Sequence, residues 1–424
     1  MRLKNRLNWR VLLLSILRRG NIFRLYKENL DIEYGASTEA IDSEMKMSAR
    51  AIYLYHLKNN ESYRAFLETK GVDLSRADAL SWEEIPLMGK SDYRDFDMTL
   101  PKETYRYSLS GGSTNEPFQY PMSRDADLSL WPNHWTQHKV FGLPPCSPML
   151  MLMGHRTETK SLAKKIYHWI SNFHTFNSER IDDYACRKML EVIATKRIQL
   201  IYGYATSIYL FLKYLHDHNI HINIKGIIST SENVVPICYQ WARDYCSCEL
   251  LNQYGAGDGN VFAFECEAHQ GLHILHNSCS VEILDKEVLL TAVRNKAMPF
   301  IRYRVGDLSS GDLIKEKCSC GRSLYRIPSI EGRTNQMIKD IDGRDVSLIV
   351  FMNVFDYDAH IQKYQIREVE NNIIVNMIVT ADKALMKEKH TKLLKEFFKR
   401  PVEIVFDEEF YVLPNGKTPL FYRL

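Results

Sequence analysis

The stretch SLSGGSTNEPFQY, residues 108–120, concentrates hydroxyl groups and glycines in one loop. Ser110, Ser113 and Thr114 supply three hydroxyls, and Gly111 and Gly112 leave backbone N–H groups unobstructed by side chains. Such a nest suits phosphate oxygens. It is not a Walker loop, because the Gly-Lys-Ser/Thr ending is absent. Taken alone, the loop has two interpretations, a phosphate-binding nest and an ordinary serine–glycine turn.

The chain on either side of this loop has the pattern of an α/β protein. Short apolar runs alternate with helical segments between residues 148 and 256, and shorter strands follow to residue 308. The last 90 or so residues hold a hairpin with a turn at Asn371-Asn372, an amphipathic helix and a further strand. We therefore expect a large α/β domain over residues 1–332 and a small α+β domain over residues 333–424.

Four further motifs follow the hydroxyl-rich loop in a fixed order. They are NQYGAGDG at 252–259, IRYRVGDL at 301–308, GRTNQMIKDIDGRDV at 332–346 and LPNGKTPL at 413–420. Each has a structural explanation by itself: a turn, an exposed strand end, a linker and a solvated lysine. The order and spacing of the five segments together are specific.

As a set, the five segments resemble the motifs of the adenylate-forming ligase superfamily. Within it the chain resembles the phenylacetate–CoA ligase branch and, more closely, capsular polysaccharide biosynthesis proteins of the CapK type. The stretches ECEAHQGLHI (265–274), CSCGR (318–322) and YGYATSIYLFLKYL (202–215) carry that closer likeness. The resemblance covers about residues 75 to 420. It implies a large ligase-type domain followed by a small mobile domain.

The resemblance implies a reaction that joins a carboxylate to the α-phosphorus of ATP and releases pyrophosphate. Because two anions must meet, the site needs hydrogen-bond donors and cations. The resemblance assigns the β- and γ-phosphates to the loop at 110–114. The other roles that it assigns are adenine contacts for Ser231, Glu232, Tyr254 and Gly255, Mg²⁺ binding for Asp258, ribose binding for Asp307, ribose or phosphate contact for Arg333, and adenylation for Lys417.

Some positions depart from the superfamily pattern. Asn115 and Glu116 stand where glycine and lysine are usual, and the negative charge of Glu116 would weaken ATP binding. Asp258 replaces a glutamate with a shorter arm, and Gln336 stands where an aspartate usually marks the hinge. The family implies that the small domain brings Lys417 in for adenylation and then rotates about residues 333–337.

The acyl substrate and its acceptor are less clearly indicated. The substrate candidates are His134, Trp135, Arg156, His174 and Tyr204, each with a packing role as the alternative. The CapK likeness favours an amide made from an amino acid or uronic acid in capsular or surface polysaccharide biosynthesis, with an amine or sugar as nucleophile. The alternative is an acyl–CoA or aryl–CoA ligase, which would use CoA. A second alternative is a nucleotide-binding assembly subunit without catalysis.

Cysteine and histidine residues indicate a structural zinc site. Cys266, His273, Cys318 and Cys320 can supply the four tetrahedral S and N ligands that zinc favours. His269 and His276 are alternative ligands, and free thiols on strands are the alternative to a metal site. For the further pair Cys246 and Cys248, we expect burial.

Composition narrows the class of protein. The formal charge of +3 over 424 residues, without a basic stripe, argues against nucleic-acid binding. The nine cysteines and the lack of a secretory signal indicate a reducing compartment, so we expect a cytoplasmic protein. Residues 1–27 carry eight Lys or Arg and no acid, which predicts a basic N-terminal helix packed on the body. The alternative is peripheral contact with the inner membrane face.

Overall fold

The structure is a computed structural model. It describes residues 9–34, 37–109, 119–153, 161–177, 181, 183–231, 234–256, 261–333, 337–339, 341–342, 345–347, 355, 358, 360–370, 372–411 and 421–423. Contacts divide the chain into a large unit that ends at Ser329 and a small unit that includes Ile330–Leu424 and Gly306–Leu308. The domain roles expected for residues 1–332 and 333–424 stay predictions.

The helices lie mainly in the large unit. They are α1 Trp9–Leu17, α2 Ile22–Glu33, α3 Thr38–Asn59, α4 Glu61–Thr69, α5 Asp92–Asp95, α6 Arg124–His138, α7 Leu162–Ser171, α8 Asp183–Lys196, α9 Ala205–Asp217, α10 Ile237–Cys246 and, in the small unit, α11 Lys383–Phe398.

The strands alternate with these helices and confirm the predicted α/β class. The first thirteen are β1 Arg106–Leu109, β2 Gln119–Met122, β3 Met149–Met153, β4 Phe173–Asn177, β5 Leu200–Tyr204, β6 Gly226–Thr230, β7 Glu249–Ala256, β8 Val261–Glu265, β9 Leu272–Ile274, β10 Ser280–Leu284, β11 Glu287–Thr291, β12 Tyr303–Ser309 and β13 Arg326–Ile327. The remaining seven are β14 Ile330–Arg333, β15 Met337–Lys339, β16 Asp345–Ser347, β17 Ile361–Val369, β18 Asn372–Val379, β19 Val402–Phe406 and β20 Phe421–Arg423.

An eight-stranded sheet forms the centre of the large unit, in the order β13-β9-β8-β7-β6-β5-β3-β4. The strands from β7 to β4 are parallel, and β8, β9 and β13 pair antiparallel. Side chains alternate between the two faces of a strand. Leu150 and Leu152 therefore pack under α8, α9 and α10, whereas Met149 and Met151 lie in a second cluster with Trp131 of α6. Burial on both faces explains why these strands read as uninterrupted apolar runs.

Helix α6 contains the proline that was expected to kink or break it. The helix runs from Arg124 to His138 with Pro132 inside it, so it is not broken there. Ten of its fifteen residues are buried, so packing on all sides holds the helix despite the missing backbone hydrogen bond. Ser123 caps α6, as predicted, by accepting a hydrogen bond from the Ala126 N–H.

The basic N-terminus forms two helices where one was predicted. Helix α1 ends at Leu17, and Asn21 begins α2 by accepting a hydrogen bond at 2.9 Å from the Arg24 N–H. Val11 and Leu14 are buried in a cluster with α2 and α6, which confirms the predicted packing on the body. Within the described ranges, no helix has the length and apolarity needed to span a bilayer.

The small unit is built on a four-stranded sheet in the order β19-β18-β17-β20, with α11 against it. Strands β17 and β18 form the predicted hairpin, with Val369 opposite Asn372. The turn therefore lies one residue earlier than predicted, and Glu370 adopts a φ of +52° there. Leu394 and Phe398 of α11 join Val375 and Ile404 in the core of this unit.

Close approach of β3 and β5 requires a glycine at position 203. A Cβ atom there would lie 2.7 Å from the Leu152 Cβ and 2.8 Å from the Leu152 carbonyl oxygen. We expect Gly203→Ala to lower the free energy of unfolding by about 1–3 kcal/mol, because the strands must move apart. Urea denaturation measures the loss. Gly89→Ala is the control, since its Cβ would meet nothing closer than 3.8 Å. Equal stability of the two variants would contradict the close approach.

Candidate functional site

The carboxyl ends of the parallel strands bring together residues that are far apart in sequence. Tyr204 of β5 lies opposite Thr230 of β6, which in turn lies opposite Gln253 of β7. In open α/β sheets, ligands bind outside the carboxyl ends of the strands. This edge of the sheet is therefore the candidate active site of the large unit.

Three of the predicted adenine contacts lie at this edge. Ser231 follows β6 directly and has a φ of +69°, a left-handed conformation that ends the strand. Tyr254 and Gly255 lie on β7, opposite Ala263 and Phe262 of β8. Tyr254 is half-buried and Gly255 is exposed. The pairing of β6 with β7 thus brings these three residues to the same end of the sheet.

A buried chain of hydrogen bonds lies behind this edge. The Gln253 Oε1 lies 3.1 Å from the His134 Nδ1, and the Gln253 Nε2 donates to the Tyr202 hydroxyl at 3.4 Å. Because the amide oxygen can only accept, the contact requires the Nδ1–H tautomer of His134. The rings of Trp131 and Phe262 lie 4.8 Å and 5.0 Å from the His134 ring. Gln253 thus connects α6 to β5 immediately before Tyr254.

Burial keeps this network uncharged. It lowers the pKa of His134 to about 4, against the smaller opposing effect of the Gln253 hydrogen bond. Burial also raises the pKa of Tyr202 to about 12. At neutral pH, His134 is therefore a neutral hydrogen-bond donor and adds no positive charge to the site.

The substrate candidates are placed differently from one another. Trp135 is 1% exposed and packs at 6.0 Å on Tyr26 of α2, which favours a packing role. His174 lies half-buried on β4, and burial lowers its pKa. Tyr204 is half-buried at the carboxyl end of β5, where a substrate would approach. Of the four candidates that the structure describes, Tyr204 and His134 lie nearest to the predicted nucleotide contacts along the register of the sheet.

Several predicted residues lie outside the described residues. They are Ser110, Gly111, Gly112, Ser113, Thr114, Arg156, Glu232, Asp258, Gln336 and Lys417. Strands β1 and β2 pair antiparallel on either side of the hydroxyl-rich loop, with Leu109 opposite Gln119. Asp307 lies on β12 and is 7% exposed, and Arg333 ends β14.

The four predicted metal ligands converge in the large unit. Cys266 follows β8, His273 lies on β9, and Cys318 and Cys320 lie in the turn before β13. Their ligand atoms all lie within 4.8 Å of one another. The Cys266 and Cys318 sulfurs are 3.8 Å apart, and the His273 Nε2 lies 3.3 Å and 3.6 Å from the sulfurs of Cys266 and Cys320.

Three of these distances match the edges of a tetrahedral zinc site. Zinc–sulfur and zinc–nitrogen bonds of about 2.3 and 2.0 Å give tetrahedron edges of roughly 3.8 Å between sulfurs and 3.5 Å between sulfur and nitrogen. A sulfur separation of 3.8 Å is too long for a disulfide. Gly321, at a φ of +87°, makes the tight turn that brings Cys318 and Cys320 to the same point. The donor set can therefore hold a metal with four protein ligands.

The alternative ligands have other partners. His269 Nδ1 lies 2.8 Å from the Glu265 carboxylate, and His276 Nε2 lies 3.3 Å from the Glu44 carboxylate. Cys246 and Cys248 are buried in the core beneath the sheet, as predicted for that pair.

A buried carboxylate that sequence analysis missed anchors the metal-ligand turn. Glu33 at the end of α2 is fully buried, and its two oxygens accept from the Arg322 Nε at 2.9 Å and the Lys139 Nζ at 2.6 Å. The Glu33 carbonyl also accepts from the Ser323 N–H at 3.0 Å. Because 289 positions separate Glu33 from Arg322, no local sequence signal reveals the pair.

His138 gives the site region a pH dependence that can be measured. Burial lowers its pKa to about 3, and neither ring nitrogen has a hydrogen-bond partner in the described part of the chain. The unfolded state therefore binds the proton first as pH falls below about 6.5, and stability is lost. Between pH 7 and pH 5, we expect this loss to be about 2 kcal/mol smaller in His138→Leu than in the wild type.

Urea denaturation at the two pH values measures the difference. The exposed His221 supplies the control, since His221→Leu should keep the wild-type dependence on pH. If His138→Leu and the wild type lose the same stability, His138 titrates normally in the folded protein.

Comparisons with known proteins agree with this fold. No protein-family model matches the chain. Phenylacetate–coenzyme A ligase of Thermus thermophilus is 29% identical over 175 residues, which are 37% of this chain and 36% of the relative. Indoleacetate–lysine synthetase of Pseudomonas savastanoi is 22% identical over 124 residues, 28% of this chain and 31% of the relative. The chain thus spans about a third of the length of the curated relatives it matches.

Similarity to a solved structure extends much further. A crystal structure of 2-hydroxyisobutyryl-CoA ligase in the postadenylation state has a TM-score of 0.69 and 13% identity, and covers 92% of this chain and 91% of that protein. This similarity confirms the predicted ligase-type α/β fold, while the closer likeness to CapK-type proteins stays a prediction. The chain therefore shares its fold with 2-hydroxyisobutyryl-CoA ligase and is similar in sequence to a phenylacetate–coenzyme A ligase over 37% of its length.

Proposed function

We propose that this protein is an ATP-dependent ligase that activates a carboxylate as an acyl-adenylate and transfers the acyl group to a nucleophile. The observation that carries the proposal is the edge of the sheet where Tyr204, Ser231 and Tyr254 follow one another on adjacent strands. That edge is where a doubly covered parallel sheet binds its ligand. The fold shared with 2-hydroxyisobutyryl-CoA ligase supports the same reaction class.

The proposed reaction has two steps. A carboxylate oxygen attacks the α-phosphorus of ATP, and the bond from that phosphorus to the bridging oxygen breaks to release pyrophosphate. The nucleophile then attacks the acyl carbon, loses its proton and displaces AMP. Lys417 is proposed to offset the charge that builds between the carboxylate and the α-phosphate in the first step.

The remaining residues are proposed to hold the nucleotide. The loop at 110–114 would hold the outer phosphates, and Asp258 would bind Mg²⁺, which prefers oxygen ligands. Asp307 would accept hydrogen bonds from the ribose hydroxyls, and Arg333 would contact the ribose or a phosphate. Ser231, Glu232, Tyr254 and Gly255 would surround the adenine.

The proposed product is an amide made from an amino acid or uronic acid in capsular or surface polysaccharide biosynthesis. The Pseudomonas savastanoi relative is named for an acid and lysine, which supports an amine as the nucleophile. The name of the Thermus thermophilus relative supports the alternative, a CoA thioester. The second alternative is a non-catalytic nucleotide-binding subunit. Its only support is that Glu116 and Gln336 depart from the superfamily pattern.

Adenylation tests the proposal directly. We expect pyrophosphate release to require ATP, Mg²⁺ and a particular carboxylic acid from a panel of amino, uronic and aromatic acids. Lys417→Ala should slow release by at least a hundredfold and leave ATP binding largely intact, because the lysine acts on the developing charge. Lys387→Ala removes an exposed lysine of α11 and is the matched control.

The outcomes separate the alternatives. No pyrophosphate release with any acid of the panel would favour the non-catalytic subunit, whereas release that does not depend on an acid would contradict the proposed adenylation. Consumption of CoA would identify the thioester ligase, whereas an amide formed without CoA would identify the proposed product. Adenylation retained in Lys417→Ala would show that another residue supplies the cation.

We also propose that Cys266, His273, Cys318 and Cys320 hold a structural zinc ion. Zinc would join β8 and β9 to the turn before β13, and four protein ligands leave no position open for catalysis. The three thiols would bind as thiolates. All nine cysteines of the chain are free thiols, which supports the proposed reducing compartment.

Metal analysis tests the zinc proposal. Purified protein should contain about one zinc per chain, and Cys266→Ser should lose most of it and lower the thermal midpoint. Cys279→Ser is the control, because Cys279 is equally buried but lies outside the cluster. Inductively coupled plasma mass spectrometry and thermal melting give the two readouts. Zinc that is absent, or that Cys266→Ser retains in full, would refute the site.

A further inference from the structure

Helix α1 turns an apolar stripe toward solvent. Trp9, Leu12, Leu13, Ile16 and Leu17 are all exposed, and their spacing of i, i+3, i+4, i+7 and i+8 places them on one face. In a surface helix, apolar residues at this spacing normally form the face that packs against the core. The opposite face of the same helix already packs on the body through Val11 and Leu14. The exposed stripe is therefore separate from the face of α1 that packs on the body of the protein.

Helix α7 carries a second outward stripe beside the first. Leu162, Ile166 and Trp169 are exposed at spacings of four and three residues, and the Trp169 ring lies 5.8 Å from the Trp9 ring. Arg10 joins the two helices. Its guanidinium donates to the carbonyls of Trp169 and, at 3.0 Å, Ile170, and lies 4.7 Å from the Trp9 ring.

Together the two stripes form one face, which we name the α1–α7 face. The described residues include nineteen exposed large apolar side chains, and eight of them belong to this face. Scattered exposed apolar residues are ordinary, but a contiguous patch marks an interaction site. The concentration on two adjoining helices therefore indicates a partner for this face.

The charges around the face indicate what that partner is. Neither helix contains an acidic residue. Lys164 and Lys165 lie on α7, Arg19 follows α1, and in sequence Arg2, Lys4 and Arg6 precede it. A second copy of this chain would bring like charges together across such a face, whereas an anionic lipid surface would complement them. Tryptophan beside apolar and basic side chains is the composition of helices that lie at a membrane interface.

We propose that the α1–α7 face docks the large unit on an anionic membrane surface, with Trp9 and Trp169 inserted at the level of the lipid headgroups. Sequence alone indicated a basic N-terminal helix as an alternative membrane contact. The structure adds α7 as a second contact helix and Arg10 as the residue that aligns the two. The proposal does not depend on the ligase activity.

Vesicle sedimentation of the full chain tests the proposal. With vesicles of phosphatidylcholine and phosphatidylserine at 7:3, we expect binding at low salt that falls at least tenfold in 0.5 M NaCl or with pure phosphatidylcholine. The double substitution I16E and L162E should weaken binding at least tenfold. Leu385→Glu is the matched control, because Leu385 is 65% exposed on α11 while Ile16 is 63% exposed.

Fluorescence gives a second readout. Brominated lipids should quench tryptophan emission, and the double variant Trp9→Phe and Trp169→Phe should lose that quenching while the four other tryptophans remain. Thermal melting checks that each variant is folded. The proposal is overturned if low-salt sedimentation is absent or survives I16E and L162E in folded protein. A dimer abolished by these substitutions, without vesicle binding, would instead make the face a contact between copies.

Discussion

The parallel pairing of β3, β5, β6 and β7 is the constraint on which the candidate site depends. Parallel strands require a crossover between each pair, and here α8, α9 and α10 provide those after β4, β5 and β6. The parallel pairing places the carboxyl ends of these four strands at the same end of the sheet. Tyr204, Ser231 and Tyr254 therefore become neighbours although about fifty residues separate the first from the last. Close packing at Gly203 keeps β3 and β5 in the register that this edge requires.

The strands that carry the candidate site must also be held in position. Helix α6 packs against them and contributes polar side chains to that contact. The helix is buried on nearly every side, so an unpaired polar side chain is costly there, as for His138 within the described residues. Asn133 and Thr136 are paired, because they accept from the Asn29 amide at 3.0 Å and 3.1 Å. His134 instead donates to the Gln253 Oε1, one residue before Tyr254. The hydrogen bonds that hold α6 in the core thus also fix the strand that carries the proposed adenine contact.

Sequence analysis could predict the features that follow from local pattern. Runs such as MLMLM at 149–153 are buried on both faces of the sheet and were recognisable as strands from composition alone. The spacing of Cys318 and Cys320, followed directly by Gly321, similarly indicated a tight turn with two candidate metal ligands. Local pattern could not decide whether Pro132 breaks the helix, because the burial that holds α6 together is a tertiary property. Neither the Glu33 pair with Arg322 nor the contact of His134 with Gln253 has a local signal, since each joins distant segments.

Buried ion pairs explain why the N-terminal helices α1 and α2 are packed firmly on the large unit. Glu33 of α2 pairs with Lys139 and Arg322, so separating α2 from the body would break both ion pairs. Breaking a buried ion pair typically costs about 3–5 kcal/mol, which opposes the detachment of α2. Arg18 at the end of α1 is tied in the same way to the buried Asp127 of α6. The apolar face that α1 presents is therefore held outward by its anchors. An apolar face fixed in that orientation can contact a partner without any rearrangement of the core.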